Sequence, residues 1–168
     1  MQKDEMYFSQ LDMLWNIFSR QPDARARIRG SLKYANTKGL MHFYEMINGT
    51  LVVTEMMRLP HKKGICERGI FAVHIHDGDV CFGTKEDPFA DAGMHFNPRE
   101  CKHPYHAGDM PPLFENDGYA LSVFLSNQFL VRDVIGKTVI VHGNPDDFTT
   151  QPAGNAGEKI ACGVIELV

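Results

Sequence analysis

Beyond Pro22 the chain abandons a helical hydrophobic period for an alternating one, and that switch constrains its fold more than any other feature. Ala24, Ala26 and Ile28 fall on one side of an extended segment while Arg25, Arg27 and Arg29 fall on the other, because successive strand residues face opposite ways. Apolar stretches of strand length recur at 41–47, 50–59, 70–76, 119–126, 138–142 and 159–167, separated by Gly, Pro and Asn. Between the first two of these, Asn48-Gly49 reads as a two-residue hairpin turn, since both residues tolerate positive φ. One helix is expected, over residues 7–20. Tyr7, Phe8, Leu11, Leu14, Trp15 and Phe18 recur at three- and four-residue steps and form one stripe, and Pro22 ends it. That stripe either packs on the domain that follows or serves as a dimer contact or docking helix. The pattern predicts an all-β sandwich or barrel over residues 23–168, preceded by a helical extension over residues 1–22.

Composition removes several functional classes. Lys and Arg number 17 against 21 Asp and Glu, a net charge of −4, so no basic surplus is available for phosphate contacts and nucleic acid is not an expected partner. No apolar run approaches the ~18–20 residues that span a bilayer. Residues 1–6 carry Lys3, Asp4 and Glu5 and show no secretory leader. The expected location is therefore cytoplasmic, or exported if a leader has been removed.

Histidine is the exception to an ordinary composition. Six of the eight histidines lie between positions 74 and 142. His74 and His76 stand two apart in a predicted strand, so both imidazoles face the same way and can reach one ion. Residues 77–114 break the strand rhythm and are rich in Gly, Pro and His, as a functional loop would be. They carry His95, and then His103, His106 and Asp109 in the spacing His-x-x-His-x-x-Asp. His142 ends the strand at 138–142. Imidazole suits copper and zinc, and one carboxylate is compatible with tetrahedral zinc. Seven donors exceed one four-coordinate ion and suffice for two if a ligand is shared. His42 and His61 lack such neighbours and read as structural or solvated.

Several segments together resemble copper,zinc superoxide dismutase of a bacterial-like type. They are His74-Ile75-His76, Gly93-Met94-His95-Phe96-Asn97-Pro98, His106-Ala107-Gly108-Asp109, residues 135–142 and residues 154–165. The resemblance runs in family order over roughly residues 24–168. It implies a Greek-key β-barrel with two long loops over a binuclear site. By matching position, His74, His76, His95 and His142 would hold copper, and His95, His103, His106 and Asp109 would hold zinc, with His95 bridging. Asp146 matches an aspartate that links a copper histidine to a zinc histidine, fixing ring orientation. Cys81 and Cys162 match the family's disulfide. In the family, copper changes oxidation state while the bridging imidazole, here His95, takes up and returns a proton. Lys159 stands where the family has an arginine that attracts the anion; it retains the charge without the planar fork.

The resemblance therefore implies an antioxidant oxidoreductase with copper and zinc as cofactors and superoxide as substrate, and a homodimer is compatible with it. The alternative is a non-catalytic copper- or zinc-binding member of the same fold. A zinc hydrolase would need an open zinc position and a nearby base. Three departures stand out. Only Pro104 and Tyr105 separate His103 from His106, which shortens the zinc loop. Phe71-Ala72-Val73 replaces His-Gly-Phe before the first ligand. The loop between His142 and Lys159 contains no lysine or arginine, and Glu158 beside Lys159 is expected to cancel part of its field. Cys66 and Cys101 match nothing in the family, and Cys101, between His95 and His103, is either a loop thiol or a competing ligand.

Overall fold

The computed structural model of the chain describes residue 17, residues 19–61 and residues 69–168. Apart from Ile17, Ser19 and Arg20, the helix expected over 7–20 lies outside the described residues, as does Cys66.

Among the described residues nine strands follow in order: β1 (Ala24–Gly30), β2 (Lys38–Met46), β3 (Gly49–Met57), β4 (Ile70–Phe71), β5 (Val73–His76), β6 (Leu113–Phe114), β7 (Tyr119–Ser126), β8 (Thr138–His142) and β9 (Lys159–Leu167). Seven form an antiparallel sheet in the order β5-β8-β9-β1-β2-β3-β7, and β4 pairs with β6 separately. Ile75 of β5 and Ala120 of β7 come from opposite ends of that order yet belong to one buried cluster with Ile28, Phe43, Val52, Val139 and Ile160. The sheet is therefore curled around a single core, and Phe71 and Leu113 of the β4–β6 pair plug its open side. The alternation over 24–29 translates directly: Ala24, Ala26 and Ile28 are fully buried, while Arg25, Arg27 and Arg29 face outward.

Three local expectations are corrected. The hairpin turn falls one residue early. Met46 pairs with Gly49, which leaves Ile47 and Asn48 as the connecting residues. Gly49 takes φ +145°, where a Cβ would sit 2.1 Å from the Ser126 carbonyl oxygen, so the glycine serves close packing against the end of β7. The strand over 70–76 is broken at Ala72, where the chain passes from pairing with β6 to pairing with β8: its N–H donates to the Asn144 carbonyl and its own carbonyl accepts from the His142 N–H. The loop expected over 77–114 ends earlier, because Leu113 and Phe114 are β6. A one-turn helix at Val131–Val134 was not expected; it buries Val131 and Val134 beneath the barrel end.

The two long loops, 77–112 and 143–158, fold back over β5 and β8. Phe89 and Ala92 of the first loop pack on Ile140 and Cys162, and Cys81 is disulfide-bonded to Cys162, as the resemblance implies. Every residue of β5 and β8 is consequently buried. Such a closed loop removes conformational freedom from the unfolded chain and holds the loop against β9.

Candidate metal centre

At the sheet's edge β5 has a free side, and the first loop returns along it as an irregular partner. Isolated bridges join His76 to His95 and His74 to Asp109, stitched by backbone bonds from Phe96 N–H to the Ile75 carbonyl (2.8 Å) and from Ile75 N–H to the Gly108 carbonyl (2.9 Å). This pairing brings loop donors beside strand donors. His142 joins them because β8 is the other neighbour of β5, with His74 opposite Ile140.

Two sets of ligand atoms result, each within 4.8 Å: His74, His76, His95 and His142, and His95, His103, His106 and Asp109. His95 belongs to both. All seven donors anticipated from spacing are thus brought together, and the short His103–His106 segment does not prevent the second set from converging. Cys101 belongs to neither set; its thiol lies 3.8 Å from the Arg99 carbonyl. His42 stands on the outer face beside Tyr44, and His61 pairs with Glu115 at 2.6 Å.

The hydrogen bonds define which nitrogen of each ring is left over. His74 Nε2 donates to Asp146 Oδ2 (2.7 Å) and His103 Nε2 to Asp146 Oδ1 (2.9 Å). His76 Nδ1 donates to the Gly93 carbonyl (2.8 Å), and His142 Nδ1 to the Gly157 carbonyl (3.3 Å). The opposite nitrogens, His74 Nδ1, His76 Nε2, His103 Nδ1 and His142 Nε2, are buried without a hydrogen-bond partner, as is His95 Nε2. Buried polar atoms are normally paired, and five orphaned imidazole nitrogens in one place is the chemistry of a ligand shell. A ring that donates outward with one nitrogen presents a lone pair inward with the other.

The second set is equally compact. His95 Nδ1 lies 2.8 Å from Asp109 Oδ1, His103 Nδ1 3.1 Å and His106 Nδ1 3.4 Å from Asp109 Oδ2, and His106 Nδ1 3.3 Å from His95 Nδ1. Ligand bonds of ~2.0–2.1 Å in a tetrahedral shell give edges of roughly 3.3 Å, so these separations fit three imidazoles and a carboxylate around one ion.

Electrostatics favour the neutral form of four of the rings, His74, His76, His106 and His142, and the ionised form of both carboxylates. Burial lowers the histidines' proton affinity, taking His76 to about 2 and His142 to about 3 and also lowering His74 and His106. Burial alone would raise Asp146, but hydrogen bonds from His74, the Phe148 N–H and His103 hold it at about 2. Asp109 is likewise lowered despite its burial, chiefly by the hydrogen bond from His95. Neutral imidazoles and ionised carboxylates are the forms that bind metal.

The frame behind these groups is tight. A Cβ on Gly154 (φ +63°) would stand 1.9 Å from Asp146 Oδ1 and 2.6 Å from His103 Nε2, so only glycine lets the second loop pass. Gln151 grips His103 through both backbone groups, accepting from its N–H and donating to its carbonyl. Sequence reasoning missed Gln151 and the carbonyls of Gly93 and Gly157, since none carries a ligand-type signature.

Lys159 lies across from His142 in the β8–β9 register. Its Nζ donates to Asp87 Oδ2 (2.7 Å) and to the Phe89 carbonyl (3.2 Å). The expectation that Glu158 offsets Lys159 is corrected: Glu158 is held by Lys33 (2.7 and 3.0 Å) and Tyr34. Asp87 takes that place instead.

A curled antiparallel barrel whose edge strand and covering loops assemble two adjoining donor sets around one imidazole defines a binuclear metalloprotein. Comparison with known proteins agrees. The family model described as copper/zinc superoxide dismutase matches residues 29–165, and the chain belongs to that family. Two Aquifex aeolicus proteins named Cu-Zn superoxide dismutases are 36% identical over 118 residues (61% of this chain, 67% of the relative) and 35% identical over 136 residues (71% and 74%). The solved Cu/Zn superoxide dismutase of Brucella abortus shares the fold, with a TM-score of 0.71 at 24% identity, over 85% of this chain and 99% of that one.

Proposed function

We propose that the protein is an oxidoreductase that converts two superoxide anions and two protons to oxygen and hydrogen peroxide. The observation that carries this reading is the membership of His95 in both donor sets, with Nε2 facing one and Nδ1 the other. His74, His76, His95 and His142 would hold copper, and His95, His103, His106 and Asp109 would hold zinc. Copper, when bound, supplies a reversible one-electron couple that zinc cannot.

The remaining work falls to the chain. His95 Nε2 can take up a proton and return it while its Nδ1 side stays anchored beside Asp109. Asp146 holds His74 and His103 in fixed tautomers, and the Gly93 and Gly157 carbonyls do the same for His76 and His142. Lys159 supplies positive charge near His142 toward which a small anion is drawn. A non-catalytic family member would be expected to lack a donor of the first set, and all four are present.

The test is metal content together with superoxide decay. Protein reloaded with both metals is expected to bind one copper and one zinc per chain and to remove superoxide catalytically. His142→Ala is expected to lose copper and at least ~100-fold in rate, on the scale of removing a group that acts directly in a reaction. Full zinc and copper occupancy without catalysis would overturn the reading in favour of a metal-binding role.

A further inference from the structure

We infer that Asp87 is a built-in counter-charge to Lys159 that weakens the pull of this site on anions. The inference rests on the reading of Lys159 as the anion-attracting group, and it concerns a residue for which that reading has no role.

Chance surface ion pairs join two free side chains, and this pair does not. Lys159 has a side chain only 16% exposed, rooted in β9 opposite His142. Asp87 is fixed by its own backbone. Its N–H bonds Thr84 Oγ1 and its carbonyl accepts from the N–H groups of Thr84 and Ala90. Its Oδ1 accepts from the Phe89 N–H, which leaves Oδ2 for Lys159 Nζ at 2.7 Å. Phe89 in turn is buried against Ile140 and Cys162, and Cys162 is bonded to Cys81 of the same loop. Both partners thus hang from one rigid assembly, and little entropy is lost in holding them together.

Two other nearby charges are already engaged. Glu158 is occupied by Lys33 and Tyr34, and Lys137 is paired with Asp77 at 3.0 Å. Lys159 is the cation that stands opposite His142, and Asp87 sits on its ammonium group. A carboxylate in contact with a cation cancels most of its field at distances beyond the pair, and salt screens what remains. The arrangement predicts a site whose anion affinity is modest and insensitive to ionic strength.

The variants separate this from a structural role. Asp87→Asn keeps an Oδ1 acceptor for the Phe89 N–H and removes the charge; Asp87→Glu keeps the charge. The readout is azide binding to copper- and zinc-loaded protein, followed by the change in the copper visible spectrum at several salt concentrations. Asp87→Asn is expected to bind azide about threefold more tightly, the size set by one partly exposed charge pair, with an affinity that now falls as salt rises. Asp87→Glu should match the parent. In a Lys159→Met background, Asp87→Asn should give a markedly smaller gain, because the charge it unmasks is gone. Unchanged or weaker azide binding in Asp87→Asn, or an equal gain without Lys159, overturns the inference. Failure of the parent protein to develop a copper spectrum overturns the functional reading instead, so the two are told apart.

Discussion

The two ends of the sheet follow different rules. In β5 and β8 every residue is buried, polar rings included, whereas in β7 exposed and covered positions alternate. Leu121 and Leu125 of β7 turn about 60% of their surface outward, although their chemistry matches that of the fully buried Val139 and Val141. The difference lies in the loops. Residues 77–112 and 143–158 lie over β5 and β8 and bring their own polar partners, while no described residue covers the outer side of β7 to the same extent. Polar groups on a strand covered on both faces need partners, and the histidine rings of β5 and β8 find theirs in Asp146, two glycine carbonyls and the converging donor sets, while the Thr138 hydroxyl stays buried without one.

The comparison can be broken most strongly by releasing the loops. Replacing Cys81 and Cys162 with serine is expected to lower stability by about 2–4 kcal/mol, measured by denaturant unfolding of oxidised parent and variant. Exposed β5 and β8 amides should then exchange hydrogen faster while those of β7 change little. Equal loss of protection in both would show that the covering loops are not what distinguishes the two ends.

A smaller effect is expected at Glu115, which lies between the regions. Its carboxylate is almost fully buried and accepts from the N–H groups of Gly118 (2.6 Å) and Gly69 (3.1 Å) and from His61. Burial by itself would raise Glu115, but these hydrogen bonds prevail and its proton affinity is lowered. A carboxylate that titrates lower when folded stabilises the protein above the ordinary glutamate range, and the contribution fades as pH falls through that range and below. Glu115→Gln should cost about 1–3 kcal/mol near neutrality, and the gap to the parent should narrow below roughly pH 4.3. A gap independent of pH would exclude the charge as its source.

The finest probe is one substitution made twice. Val139→Thr places a hydroxyl in the core of β8 and is expected to cost about 1–3 kcal/mol. Val123→Thr on the half-exposed face of β7 should stay within about 0.5 kcal/mol. Comparable losses would mean that β7 is as fully covered as β8.

Legibility from sequence follows the same division. Where one face meets the core and the other meets solvent, alternation reveals the strand, so Ala24–Ile28 could be read directly; Tyr119–Ser126 was legible only as an apolar stretch of strand length, because Leu121, Val123 and Leu125 are apolar although they face outward. The histidine pair at 74 and 76 was legible for the same geometric reason, and the loop donors by residue type. The break at Ala72 was not, because it is caused by backbone bonds to Asn144 and His142 that arrive from distant parts of the chain. Asp87 was missed and Glu158 wrongly favoured because adjacency in sequence says little about which acid turns toward a lysine. On a strand, neighbours point apart. The ligand assignments and the disulfide partner came from resemblance rather than from spacing, which left the pairing of seven donors open.

Asp146 has one more consequence. Because its two oxygens hold His74 and His103, the donor sets are mechanically joined by a second strut besides His95. A change at this one carboxylate would therefore loosen a ring in each set at once.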